Sequence, residues 1–94
     1  MLTYYAVYRS ADKNEPAAGI FIMDVAHGHA LVWNHRSGAW LYDPGAALRF
    51  LDDYRNFDRY EEVEEGAARV LAERITGGAM PGEDHVRARF ESGR

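Results

Sequence analysis

Residues 19–44 read GIFIMDVAHGHALVWNHRSGAWLYDP and contain three apolar runs separated by two breaks with glycine in them. The runs are rich in Ile, Phe, Val, Trp and Tyr, which favour strands, and the breaks at 27–29 and 34–38 have the composition of short turns. We therefore predict a three-stranded antiparallel meander over 19–44. Its first strand, 20–25, is apolar on both parities as far as Met23, which indicates burial on both faces and a central place in the sheet.

The segment before the meander predicts one more strand. Residues 3–9, TYYAVYR, are aromatic and β-branched and contain no breaker. The next segment, 10–19, collects Ser, Asp, Asn, Pro and Gly, which are the residues of surface loops. We expect this first strand to join the meander through an exposed loop.

After the meander, Asp43 and Pro44 predict a helix start, since a carboxylate caps the free amides of a first turn and proline suits the first helical position. The apolar spacing that follows predicts a helix near 44–55. Its apolar stripe comprises Ala47, Leu48, Leu51 and Tyr54.

Residues 58–63 alternate in the manner of a short, charged edge strand. Residues 64–76, EEGAARVLAERIT, predict a second helix with an apolar stripe and an acidic first turn.

Strands early in the chain and helices late indicate an α+β fold. We expect an antiparallel sheet of four to five strands with the two helices packed on one face, followed by a short C-terminal helical tail. A single α+β domain is assigned to 1–80. The tail, 81–94, is expected to be partly helical or frayed, with Val86 and Phe90 facing inward.

Three stretches of the chain carry a resemblance: TYYAVYR at 3–9, WLYDP at 40–44 and EEGAA at 64–68. Together they resemble short uncharacterised proteins of high-GC bacteria, over about two-thirds of the chain. The resemblance implies no activity.

The composition excludes several classes of function. Of the 94 residues, 47% are apolar and 28% charged, as in an ordinary globular protein. No apolar run reaches the roughly 18 residues that a membrane span requires, and residues 1–5 show no basic region followed by a long apolar segment, so we expect no membrane association and a cytoplasmic location. The chain has no cysteine, which excludes disulfides, thiol nucleophiles and cysteine-based metal or cluster sites. A net charge of -4 opposes attraction to phosphates, and nucleic acid is therefore not an expected partner.

The histidines suggest a metal site as an alternative. His27 and His29, two residues apart on an extended segment, would point both imidazoles the same way, and Asp24 or Asp43 would complete a zinc or copper site. His35 lies roughly 18 Å away, at the far end of the next strand. Because His27 and His29 also flank a glycine turn, where exposed polar residues are ordinary, we expect no metal and no cofactor.

Carboxylates and aromatic rings are the candidates for binding another protein. Asp58, Glu61, Glu62 and Glu65 fall on an edge strand and a helix start, which indicates a solvated face and not acid–base catalysis. An acidic face of this kind steers association with basic proteins. Aromatic rings left exposed on the sheet would offer a second surface to a partner or to another copy of the chain. The candidate partner-binding residues are Asp58, Glu61, Glu62, Glu65, Trp40 and Tyr42.

No nucleophile, phosphate-loop or metal-spacing motif is present, and no catalytic residue is assigned. By elimination we expect a small protein-binding module, such as a regulator, antitoxin or immunity-type protein, without catalytic activity. The partner is another protein, basic in charge, with a homodimer as a further possibility. The main alternative is a small-molecule or metal-binding domain that uses the His27/His29 turn, and an enzyme whose chemistry leaves no local motif stays open.

Overall fold

The computed structural model describes all 94 residues and contains one five-stranded antiparallel sheet. The strands are β1 Thr3–Val7, β2 Gly19–Asp24, β3 His29–Asn34, β4 Ala39–Tyr42 and β5 Tyr60–Val63. The helices are α1 Pro44–Asp52, α2 Glu65–Thr76 and α3 Glu83–Ser92, with short 3₁₀ helices at Val25–His27 and Tyr54–Arg59. The strand order β4-β3-β2-β1-β5 puts β2 in the centre and β5 at an edge. The predicted α+β class, the meander and both strand positions are confirmed.

The two predicted turns of the meander rest on glycines in the left-handed region. Gly28 has φ 70° and Gly38 has φ 65°, values that cost glycine nothing because it lacks a Cβ. The first turn is longer than the sequence indicated. A 3₁₀ turn at Val25–His27 precedes Gly28, so β2 ends at Asp24.

Helix α1 begins where the sequence predicts and ends earlier. The Asp43 carboxylate accepts a hydrogen bond from the Ala46 amide at 3.0 Å, which caps the first turn. The Asp53 carboxylate then accepts from the Arg55 amide at 3.0 Å and starts a separate 3₁₀ helix. The sequence predicts Tyr54 in the apolar stripe of α1, and this prediction is wrong. Tyr54 lies outside α1 and is 83% exposed.

The prediction that both helices pack on one face of the sheet is wrong. On one face, which we call the paired-helix face, Tyr4, Ile22, Leu31 and Tyr42 lie side by side across four strands. Helices α2 and α3 cover this face. On the opposite face, the α1 face, Met23 and Ala30 pack against Ala47 of α1.

The strand order explains this arrangement. Strands β4 and β5 lie at opposite edges, so the chain between them, which includes α1, has to cross the sheet. It crosses the α1 face, where Met23 and Ala30 need cover that α2 and α3 do not supply. The apolar run of β2, buried on both parities, already required a layer on each side.

The C-terminal segment belongs to the main core. Val86 and Phe90 of α3 are buried, as predicted, in the same cluster as Met80, Ile22 and Leu31. The helix continues to Ser92, so the expected fraying does not include Glu91 and Ser92. Glu65 and Glu83 belong to the first turns of α2 and α3 and lie at one end of the sheet, beside the start of β1.

Candidate protein-binding edge

The outer edge of β5 exposes backbone groups that pair with nothing in the chain. The Tyr8 amide donates to the Arg59 carbonyl at 2.8 Å, and the β1–β5 register continues this hydrogen-bonded pair at every second residue. Glu61 and Val63 therefore direct their amides and carbonyls to β1. Tyr60 and Glu62, which lie between them, direct theirs outward.

The opposite edge of the sheet is closed differently. The Asp43 amide donates to the Ala30 carbonyl at 3.1 Å. In the β3–β4 register every second residue of β4 is bonded to β3 in the same way, so the backbone groups of Trp40 and Tyr42, which lie between the bonded residues, point outward. The Trp40 carbonyl accepts a hydrogen bond from Arg89 Nη2 of α3 at 3.1 Å. A side chain of α3 therefore blocks this edge to a further strand, whereas no side chain does so at β5.

The predicted acidic residues lie along the free edge. Asp58, Glu61, Glu62 and Glu65 are all exposed, and the chain carries them in order through the 3₁₀ helix, β5 and the start of α2. Glu65 forms an ion pair with Arg69 at 2.9 Å. Glu62 and Asp58 have no ion-pair partner, and both are exposed to solvent.

Glu61 is held by a buried phenol. Its Oε1 accepts a hydrogen bond from the Tyr8 hydroxyl at 2.7 Å. Burial, together with this hydrogen bond and the charge of Glu61, raises the pKa of Tyr8 to about 12. Tyr8 therefore stays a neutral donor and holds the Glu61 carboxylate against the paired-helix side of β5.

Sequence reasoning missed two aromatic residues at this edge. Tyr54 is 83% exposed and Phe57 67% exposed, and both belong to the 3₁₀ helix that leads into β5. Residues three apart eclipse each other in a 3₁₀ helix, so the two rings share one side. The signal was in the sequence: Phe57 has no place in the stripe assigned to the preceding helix.

The 3₁₀ helix is fixed to the body of the protein by Arg59. This side chain donates to Asn56 Oδ1 at 2.9 Å and to the Tyr8 carbonyl at 3.2 Å. Its guanidinium also lies 5.4 Å from the centre of the Phe50 ring. Tyr54 and Phe57 are thus exposed on a segment that is held in place by several contacts.

Trp40 and Tyr42 do not join the acidic residues. They belong to β4, at the other edge of the sheet, and both are half-buried. Trp40 packs edge-on against Trp33 with ring centres 5.6 Å apart. The predicted binding residues therefore divide between two edges, and only the acidic ones lie at the free edge.

The histidine turn holds its side chains in separate internal bonds. His27 Nδ1 lies 2.9 Å from Asp24 Oδ2, and this hydrogen bond lowers the pKa of the Asp24 carboxyl. His29 Nδ1 lies 2.8 Å from the Tyr42 hydroxyl, and its ring stacks on Phe90 at 5.1 Å. No three His, Asp or Glu side chains are grouped so that they could hold a metal ion. That the turn binds no metal stays a prediction.

Comparison with known proteins does not identify the chain: no protein-family model, curated protein or solved structure matches it. The longest helix, α2, has 12 residues, and none of the helices has the length and apolar character needed to cross a membrane.

Proposed function

We propose that this protein is a small protein-binding module, of the regulator, antitoxin or immunity type, without catalytic activity. Its partner is a basic protein that adds an extended segment to the free edge of β5. Backbone hydrogen bonds supply affinity in this mode of recognition, and the side chains on either side supply specificity. We place this binding in the cytoplasm.

The observation that carries the proposal is the difference between the two edges of the sheet. The outward carbonyl of Trp40 on β4 is occupied by Arg89, whereas the outward groups of Tyr60 and Glu62 on β5 have no partner. An edge left open in this way is a template for another strand.

Charge favours a basic partner over a second copy of the chain. If two copies paired antiparallel through β5 so that all outward groups were used, Glu61 would lie opposite Glu61 of the other copy. Like charges directly opposite each other destabilise a strand pair. A segment with lysine or arginine at alternate positions reverses this effect and is attracted over several ångströms by the acidic edge.

Tyr54 and Phe57 fit the role of apolar anchors beside the added strand. Exposed aromatic rings are enriched among the residues that dominate binding energy in interfaces. Because Arg59 holds the 3₁₀ helix in place, little conformational entropy is lost when a partner packs against the two rings.

The proposal is tested with the variant Glu62→Pro. The Glu62 amide points away from β1, so proline removes the outward donor without breaking the β1–β5 ladder, and proline is tolerated at such edge positions. Peptides selected by the wild-type protein from a displayed library of ten-residue segments serve as the probe. We expect them to carry alternate basic residues and to lose about tenfold or more in affinity for Glu62→Pro.

The matched control is Glu62→Gln, which removes the charge and keeps the amide. It should lose less affinity than Glu62→Pro, and its binding should depend less on salt. Thermal unfolding of all three proteins checks that the fold is intact. Selected peptides that are neutral or acidic, or that bind Glu62→Pro as tightly as the wild type, contradict the proposal.

A further inference from the structure

The edge strand β4 carries no charge of its own. Its residues read AWLY, whereas those of β5, at the opposite edge, read YEEV and include two carboxylates. Proteins usually keep an edge strand from pairing with other chains by means of charge, proline or a bulge. None of these occurs within β4, which pairs with β3 in an unbroken register and directs the backbone groups of Trp40 and Tyr42 outward. The β4 edge therefore depends on some other protection.

Arg89 of α3 supplies this protection. Helix α3 packs on β3 through the stack of Phe90 on His29, and the long side chain of Arg89 reaches from there to the edge of the sheet. Its Nη2 atom donates to the Trp40 carbonyl at 3.1 Å. A strand added at β4 needs this same carbonyl as the acceptor for one of its own amides. Arg89 and an added strand therefore compete for one acceptor.

We propose that β4 is a second interaction surface, that its occupant is another copy of this chain, and that Arg89 holds the surface closed. Two copies pair antiparallel through β4, so that their sheets join across a twofold axis. Pairing requires that Arg89 leave the Trp40 carbonyl in both copies. This self-association does not depend on the binding of a basic segment at β5, because β5 lies at the other edge of the sheet.

The outward backbone groups determine the register of the pair. When they are all used, Trp40 of each copy exchanges both backbone hydrogen bonds with Tyr42 of the other, and Leu41 lies opposite Leu41. Leu41 is 37% exposed in the single chain, so its contact with the second copy removes apolar surface from water. Trp40 and Tyr42 become cross-strand aromatic pairs, which stabilise antiparallel sheets.

The same operation on β5 gives the opposite result. It places Glu61 opposite Glu61, and like charges in this position destabilise a strand pair. The pair formed by Leu41 has no such repulsion. The neutral side chains of β4 also exert no attraction on a charged segment, whereas a second β4 matches the first in length and in which residues point outward. The β4 edge therefore suits a second copy of the chain, and the β5 edge suits a basic partner.

The first test measures self-association of the untagged protein by sedimentation velocity over a range of concentrations. Arg89→Ala and Arg89→Gln both remove the guanidinium from the Trp40 carbonyl. We expect each to dimerise about tenfold or more tightly than the wild type, because a hydrogen bond from a charged donor no longer competes with pairing. Arg74→Ala removes an exposed arginine of α2 and should associate as the wild type does. Thermal unfolding checks that each variant is folded.

A second test locates the contact by disulfide formation. The chain has no cysteine, so a single introduced thiol reports which residues meet. In the proposed pair the two Cα atoms at position 41 lie about 4.5 Å apart, within the range that a disulfide spans. Leu41→Cys combined with Arg89→Ala should form a covalent dimer on mild oxidation, and should form it more slowly when Arg89 is retained. Val70→Cys, at an exposed position of α2, is the control and should cross-link more slowly than Leu41→Cys in either background.

A charge at position 41 should reverse the effect. Leu41→Lys combined with Arg89→Ala places two lysines opposite each other and should return association to the level of the wild type. Arg89 variants that associate no more than the wild type contradict the role of Arg89. Dimers that persist with Leu41→Lys, or that cross-link no faster through Leu41→Cys than through Val70→Cys, show that the copies do not meet at β4.

Discussion

Tyr8 is the residue that links the core to the free edge. Its ring is buried beside Ala6 and Ala17, with Leu71 and Ile75 of α2 packed against this cluster. Its hydroxyl reaches Glu61 of β5, an exposed residue. The hydrogen bond from the Tyr8 hydroxyl limits the rotamers that Glu61 explores, so the carboxylate is presented in one position.

The raised pKa of Tyr8 predicts a pH-dependent contribution to stability. In the folded protein this pKa is about 12, above the ordinary 10 of the unfolded chain. Below pH 10 both states keep the proton and the contribution is fully present. As pH rises towards 12, the unfolded chain loses its proton first, so the folded state binds more protons and loses stability.

The variant Tyr8→Phe isolates this effect. We expect it to lower the free energy of unfolding by about 1 kcal/mol at pH 8, since one hydrogen bond is lost. This difference from the wild type should shrink as pH rises from about 10 towards 12, because phenylalanine does not titrate. Urea unfolding of both proteins from pH 8 to 11.5 measures it, and the other tyrosines cancel in the comparison. A difference that stays constant over this range contradicts the assignment.

At the scale of elements, the two edge strands differ in how their outer side is protected. Both have only 4 residues, which limits the template they offer to another chain. On β4, the arginine of α3 occupies an outward carbonyl. On β5, charge is the only protection: Glu61 and Glu62 repel acidic strands and attract basic ones.

The register of β5 predicts the pattern of amide exchange in the free protein. The amides of Glu61 and Val63, which donate to β1, should exchange slowly. Those of Tyr60 and Glu62 point outward and should exchange at a rate near that of an unstructured peptide. Hydrogen exchange followed by NMR measures all four, with the amide of Leu41, bonded to β3, as a slow reference at the other edge. Slow exchange at Glu62 in the free protein would mean that its amide already has a partner, and would contradict the open edge of β5.

At the scale of the whole molecule, the sheet is covered on both faces, and of its two edges only β5 is open. Helices α2 and α3 cover one face and α1 the other. Phe90 holds α3 in place: it is 4% exposed, stacks on His29 at 5.1 Å and lies 6.2 Å from the Tyr42 ring. Because Arg89 is the next residue, the position of Phe90 also determines whether the β4 edge is blocked.

The variant Phe90→Ala tests this role of α3. Removing a buried phenylalanine should lower the free energy of unfolding by about 3–5 kcal/mol. Phe90→Leu, which keeps most of the volume, should cost about 1 kcal/mol. Glu91→Ala, on the exposed side of the same helix, should stay within about 0.5 kcal/mol of the wild type. Denaturant unfolding measures all three, and a Phe90→Ala variant as stable as Glu91→Ala would show that α3 is not part of the core.

The local elements could be predicted from the sequence because their causes are local. Side chains alternate along β1 to β4, glycines at 28 and 38 permit left-handed turns, and Asp43 with Pro44 starts α1. The stripe of α2 is likewise a matter of spacing along one helix. The alternating pattern at 58–63 was sufficient to predict an edge strand, but this strand begins at Tyr60, because residues 58 and 59 belong to the 3₁₀ helix. The acidic residues of this region were named correctly as exposed.

Tertiary structure alone decided the rest, because it depends on residues far apart in the chain. The sequence of β2 indicated that both faces need cover, but the strand order determines that α1 supplies it on one of them. The same order puts Trp40 and Tyr42 at the edge opposite Glu61 and Glu62. A groove where β1 begins is lined by Tyr4, Glu64 and Glu83, which come from three separate parts of the chain, and no local spacing encodes such a meeting. Periodicity determines which side of each element is apolar, whereas the packing of the whole chain determines which polar groups are left facing one another.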